Sequence, residues 1–340
     1  MDEKQIHMPD LTARNAIDFC NNSFDFDGIK KVIFDFKYSN TVEPFGMLMV
    51  ASKLRRLVER YPGIIWCDNH HDKEYAGHMG FFQSWRIDYG KKPGEAWGSN
   101  TYIPITELKV RDLRIESYNR NEVVQTTIER KSYELAKVLS QGNNNLKDVL
   151  GYSIRELMRN IVEHSTSESF WFAGQYWPSK DKVEIALLDE GVGIAQALGV
   201  NPNLNIKNDK DALYLSIEPG ISGKAFEYNG VMRGQSNSDW DNSGYGLFVT
   251  SKICQHGGDF LICSGKNALS IKGKGHYLYD TDLTGTAIKM TLNTSNLNKF
   301  NTFLIDSIVR EGEERAKVNS HNSNLTASKV SRMLTTTEDN

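Results

Sequence analysis

From about Leu146 onward the hydrophobic period of this chain switches between helical and strand-like in an order that few folds accommodate. Residues 146–164 place Leu157, Met158, Ile161 and Val162 at helical spacing. "SFWFAGQYW" and "KVEIALLDEG" follow as strands, and a long stretch rich in Asn, Asp, Gly and Ser comes next. "GYGLFVTSKICQHGG" is a second helix, stopped by Gly257-Gly258. "DFLICSG", "HYLYD" and "TGTAIKMTL" then read as strands. This order predicts a mixed, largely antiparallel sheet with helices on one face.

The N-terminal part has a different grammar. "KKVIFDFKY" and "IIWCDN" are short β-rich runs, and the amphipathic "PFGMLMVASKLRRLVERYPG" between them ends at Pro62-Gly63. "YAGHMGFFQSW" is expected to be another helix. Strand, helix, strand is an α/β layer unit. The expected organisation is an α/β domain over 1–105 and a helical connector over 106–145, containing "NRNEVVQTTIERKSYELAKVLSQ". A second domain over 146–294 follows, then a C-terminal helix with a polar tail over 295–340 that has too few apolar residues to pack. The fold class is α/β, as an α+β sandwich.

The 39% hydrophobic residues suffice for packed cores, and 40 basic against 43 acidic residues give a formal charge of -3. Such a balance gives no reason to expect a broad nucleic-acid-binding face and leaves room for a local patch only. Cys20, Cys67, Cys254 and Cys263 have no disulfide or zinc-knuckle spacing, so reduced thiols in a cytoplasmic protein are expected. The N-terminus has no basic-then-apolar signal, and the longest apolar run, "FGMLMVA", is too short to span a bilayer, so no membrane role is expected.

Glu156, Asn160 and His164 fall at i, i+4 and i+8 in "RELMRNIVEHS" and form a polar stripe beside the buried face of the helix. A glutamate there can act as a general base, and an amide oxygen suits Mg²⁺; a solvated helix face is the plainer alternative. "DEGVGI" ends a strand with Asp189, an acceptor for an exocyclic amine, and with Gly191 and Gly193, which allow a sharp turn against a flat ring or a phosphate. A solvated turn is the alternative there. Gly244 and Gly246 precede a helix whose first N–H groups form an anion site, with Asn242 or Ser243 as the possible ordinary cap. Gly285 and Thr286 open a late strand.

E-x-x-x-N on a helix, D-x-G-x-G after a strand, G-x-G-L before a helix and G-T on a late strand occur here in one order. Over residues 146–292 this resembles the GHKL superfamily of ATPases and kinases, with its Bergerat ATP-binding fold. "ELMRNIVEHS" is most similar to the histidine-kinase and anti-sigma branch. The resemblance implies ATP and Mg²⁺ as cofactors. It implies Glu156 as the catalytic acid that polarises the attacking group, Asn160 as the Mg²⁺ ligand and Asp189 as the adenine-binding acid. Gly191 and Gly193 would shape the pocket, Gly244 and Gly246 would contact phosphate, and Thr286 would lie near adenine. His164 matches a position often histidine in this branch; packing or capping the helix end is its plainer role.

Residues 195–243 would then form the ATP lid, with Lys224 and Arg233 as candidate phosphate partners. "GISGK" is not a P-loop, because Glu218 stands at the first Gly position and Ala225 follows the Lys. Cys67, His70, His71, Asp72 and His78 could supply metal ligands, but their spacing matches no familiar site and a polar loop after a strand is the simpler expectation.

Residues 32–67 are similar to a STAS-type domain, as in anti-sigma-factor antagonists. The phosphorylatable Ser of regulatory STAS domains is absent from Val42-Glu43-Pro44-Phe45-Gly46, although Ser39 and Thr41 lie nearby. A docking or dimer-forming role is compatible with that departure. The combined expectation is a cytoplasmic Mg-ATP-binding regulator that hydrolyses ATP or transfers its phosphoryl group to a protein partner. The alternatives are a gyrase-like ATPase dimerising around ATP on nucleic acid, and a non-catalytic nucleotide-gated binding module.

Overall fold

A computed structural model describes residues 3–96, 101–229, 231–233, 244–295 and 302–319. The expected polar tail from 320, the candidate caps Asn242 and Ser243, and lid residues 230 and 234–243 lie outside the described residues.

The chain opens with β1 (Glu3–His7), α1 (Ala13–Asn21), β2 (Lys31–Asp35), α2 (Pro44–Arg60), β3 (Ile65–Asp68) and α3 (Glu74–His78). The three strands form a parallel sheet in the order β1-β2-β3. Gly46, in the first turn of α2, lets the helix touch the chain before α1: a Cβ there would lie 1.9 Å from the Leu11 carbonyl oxygen. The helix expected over "YAGHMGFFQSW" breaks at Gly80, whose φ is +84°, into α3 and a 3₁₀ turn at Gln83–Trp85.

The second body comprises β4 (Tyr102–Lys109), α4 (Val110–Asn119), α5 (Val124–Leu139), α6 (Asn144–Asn160), β5 (Ser169–Trp177), β6 (Lys182–Asp189), α7 (Ile194–Leu198) and α8 (Asp209–Ser216). It continues with the hairpin β7 (Phe226–Tyr228) and β8 (Val231–Arg233), then α9 (Gly246–Gly257), β9 (Gly258–Lys272), β10 (Gly275–Asn293) and α10 (Thr302–Asn319). Five strands form one sheet in the order β4-β5-β6-β10-β9. Every pairing in it is antiparallel, so the sheet is not mixed as expected. The runs "HYLYD" and "TGTAIKMTL" belong to one strand, β10, whose pairing with β9 shifts register between Asp280 and Thr286.

Two expectations need correction. The boundary at 105 falls inside β4, which pairs with β5 as an edge strand of the larger sheet. The connector over 106–145 is helical as expected, in α4 and α5, but it is part of the second body: Leu113, Ile128, Ala136 and Leu139 are buried in one core with Leu150, Leu157 and the sheet. The other correction concerns the sheet's second face. Phe170, Phe172, Ile185, Leu187, Ile262 and Met290 pack under the helices of the second body. Their strand neighbours Trp171, Ala173, Ala186, Leu188, Leu261, Cys263 and Ala287 pack instead with Phe45, Leu48 and Leu54 of α2. Helices therefore cover both faces, and the sheet is the middle layer shared by two cores.

A buried carboxylate fixes this docking. Glu184 of β6 has no exposed surface, and its Oε1 accepts the Phe45 N–H at the start of α2 at 3.2 Å. Lys182 lies 3.0 Å from its Oε2 and 3.1 Å from Glu43. Burial raises the Glu184 pKa, and Lys289 and Lys182 oppose the rise. Glu184→Ala is expected to destabilise the protein by about 3 kcal/mol, since it strands a buried donor and half of an ion pair. Glu184→Gln keeps the acceptor and should cost under about 1 kcal/mol. Urea unfolding of the two variants checks this.

Candidate functional site

Helix α6 does not end cleanly. After Asn160 it widens into a π turn, Ile161–Ser165, and stops at Thr166, whose φ is +57°. Such turns recur at functional sites because they re-aim side chains at a helix end. Here the π turn forms one wall of a cleft of about 850 Å³, counting its open mouth. The end of β6 and the middle of β10 form the floor, and α7, the 221–223 segment and the start of α9 close the other sides. Most of the lining is apolar, including Leu157, Leu187, Ile194, Ile221, Ile262 and Ile288. A few polar groups converge within it, as in small-molecule sites generally.

Asp189 is the central polar group. Only 2% of it is exposed, and its Oδ1 accepts the Gly191 N–H at 2.9 Å. Burial pushes its carboxyl up to about 7, although the Gly191 N–H pulls the other way. Thr286 of β10 lies directly opposite it in the ladder, and both line the cleft. The glycines make this corner possible. Gly191 sits where a Cβ would come 1.9 Å from the Ser165 carbonyl oxygen, so the turn lies flat on the end of the π turn. Gly193 and Gly285 have φ of +64° and +88°, values that side chains other than glycine rarely adopt.

Asn160, Gly193, Gly244, Gly246 and Thr286 join Asp189 around the cleft, as the motif order leads one to expect. Glu156, Gly191 and Lys224 are not among its lining residues. Gly191 still shapes it through Asp189. Glu156 points elsewhere: its Oε1 accepts from Nε and Nη2 of Arg155 at 3.1 and 3.0 Å, and Arg159 lies 3.8 Å away. Its other oxygen faces Gly246, where a Cβ would lie 2.4 Å from it. An acid at the N-terminus of α9, matched by two arginines, completes a buried charge network. Lys224 is an exposed residue, and its ammonium donates to the Glu163 carbonyl at the π turn, closing the helix end. Arg233 lies over the Tyr228 ring at 5.7 Å.

His164 lines the cleft beside Ser165. Burial, with Lys224 and Arg159 nearby, pushes its imidazole down to about 4, so the ring is neutral at pH 7. Ser264 carries a role that no motif signals. Its hydroxyl donates to the Gly285 carbonyl and accepts the Ile194 N–H, both at 2.9 Å, tying β9 to the turns on either side of Asp189. Ser222 does similar work on the facing segment, accepting the N–H groups of Lys224 and Ala225 at 3.1 Å each. Their signal is spatial, so the linear sequence does not contain it.

In the first module, the His70 and His71 rings lie 4.1 Å apart and each meets Tyr89 edge-on, while His78 bonds the Tyr102 hydroxyl. Among the described residues, no three His, Cys, Asp or Glu side chains converge as a metal site. Among the described residues, no helix is long and apolar enough to cross a membrane. No protein-family model matches the chain, and no curated protein sequence matches it.

Proposed function

We propose that the cleft is an adenine-nucleotide site of the GHKL type, and that the protein is a cytoplasmic Mg-ATP-responsive regulator. The observation that carries this is Asp189: a carboxylate buried at the floor of an apolar cleft, opposite Thr286, with its Oδ1 held by the Gly191 N–H. Adenine offers an apolar ring with one amine donor, which suits that pairing. Asn160 at the cleft wall would hold Mg²⁺, which takes one or two protein oxygens besides phosphate and water. Bound magnesium would neutralise phosphate charge; this chain's residues bind and orient the nucleotide. Gly244 and Gly246 would approach the phosphates at the start of α9. The parallel β–α–β–α–β module is STAS-like in this reading, and the Glu184 carboxylate of β6 accepts the Phe45 N–H at the start of α2.

The surroundings of Glu156 favour a second reading, a nucleotide-gated binding module with little or no turnover. A carboxylate held by Arg155 and wedged against Gly246 is poorly placed to polarise a water or a partner's hydroxyl. The discriminating experiment is a turnover assay with Mg-ATP. Hydrolysis or transfer lost in Glu156→Ala, with ATP binding kept, supports catalysis; binding without turnover in the wild type supports the module.

Affinity should also depend on pH. The amine needs an ionised acceptor, and the free protein's Asp189 titrates at about 7. Affinity for ATP is therefore expected to fall about tenfold per pH unit below that value, and to level off above it, in calorimetric titrations.

A further inference from the structure

We infer that α2 of the first module is a positioning element for the floor of this cleft, so that docking of that module sets nucleotide affinity. The inference rests on the adenine-site reading above. Asp189 turns its side chain into the cleft; the next residue, Glu190, turns to α2. There its Oε1 accepts from the Ser52 hydroxyl and from Nη2 of Arg55 at 3.2 Å. On β10 the register shift between Leu283 and Thr286 separates two threonines two residues apart: Thr286 lines the cleft, and Thr284 accepts from Nη1 of Arg56 at 2.8 Å. Ser52, Arg55 and Arg56 occupy i, i+3 and i+4, hence one face of the helix.

This face grips both turns that carry cleft residues. Ser52 is fully buried, and the Arg55 guanidinium lies 4.1 Å over the Trp171 ring, a group of β5 paired with Leu188. The two turns are packed backbone on backbone, since a Cβ on Gly285 would lie 2.1 Å from the Asp189 carbonyl oxygen. They therefore move together or not at all. A shift of α2 would move Asp189 and Thr286 without touching the nucleotide. By reciprocity, bound nucleotide would strengthen the docking of the first module.

The test compares the full-length Arg55→Met/Arg56→Met variant with the wild type in two measurements. One is hydrogen exchange of the peptides spanning 186–194 and 284–288 without nucleotide; the other is calorimetric affinity for Mg-ATP and Mg-ADP. The expected result is exchange at least about fivefold faster in those two peptides, with α6 unchanged. Both affinities should fall by about tenfold alike, because the base end is disturbed rather than the phosphates. Arg55→Lys/Arg56→Lys should recover most of both, which a general loss of packing would not allow. Should the methionine variant fail to fold, Glu190→Ala/Thr284→Val removes the acceptors of the same bonds from the other side. Unchanged exchange in a folded variant would overturn the inference. Faster exchange with no nucleotide bound even by the wild type would uphold the mechanical link and defeat the adenine reading.

Discussion

Asp189→Asn is expected to lose adenine-nucleotide binding and gain stability at once. The lost interaction is a hydrogen bond to a charged acceptor, and the new amide can turn a donor toward the ligand's amine; together these should weaken binding by about 100-fold. The stability change has the opposite sign. The folded protein holds the Asp189 proton up to about pH 7, whereas an ordinary aspartate carboxyl loses its proton near 3.8. Between those values the folded state binds more protons than the unfolded one, so this residue's contribution to stability falls as pH rises through the window. The full shift corresponds to roughly 4 kcal/mol, and asparagine, whose amide must also be desolvated, should recover about half of it at pH 8. At pH 4 the variant and the wild type should be alike. Denaturant melts at the two pH values, beside nucleotide titrations, make the check. A residue present only for packing would lose stability on substitution. His164 acts in the opposite direction: its folded pKa lies below 6.5, so its contribution is lost as pH falls from there to about 4.

Removing the first module should be worse than losing a domain. A chain beginning at residue 101 keeps the five-stranded sheet but uncovers Trp171, Ala173, Ala186, Leu188, Leu261, Cys263 and Ala287. It also leaves Glu184 without the Phe45 N–H. A contiguous apolar sheet face of this kind drives association. We expect this truncation to be insoluble, or soluble only as aggregates that bind hydrophobic dyes, whatever nucleotide is added. A monomeric truncation with a single cooperative melt would show that the two bodies are independent, against the shared-layer arrangement.

That shared layer was legible in the sequence in part. Strand existence in the second body followed from β-branched and aromatic runs, and the ends of β5 and β6 match those runs closely. The same runs carried a further signal: "SFWFAG", "EIALLD" and "FLICS" are apolar at consecutive positions, not alternating. Such runs mark strands buried on both faces. Their second face includes four small residues, Ala173, Ala186, Ala287 and Cys263, which let α2 approach closely. The covering elements come from far away in the chain, so periodicity within the second body could not name them.

The candidate site shows the same division. Asp189, Asn160, Thr286 and the glycines at 193, 244 and 246 stand around one cleft, because motif order tracks the order of elements that build it. The orientation of Glu156 was not legible. Helical spacing places it one turn before Asn160, but Arg155 and Arg159 on the same helix draw its carboxylate aside. Lys224 likewise has the charge expected of a phosphate partner, yet it bonds a helix-end carbonyl. Spacing fixes which face a residue occupies; the competition among neighbouring charges decides where its polar atoms go.

The most direct test is a calorimetric titration of the full-length protein at pH 8 with Mg-ATP and, in parallel, Mg-GTP. Saturable one-to-one binding of ATP, at least about tenfold tighter than GTP, is the predicted result, because guanine presents a carbonyl acceptor where Asp189 needs a donor. No saturable binding of ATP, or equal binding of the two, would contradict an adenine site built on Asp189.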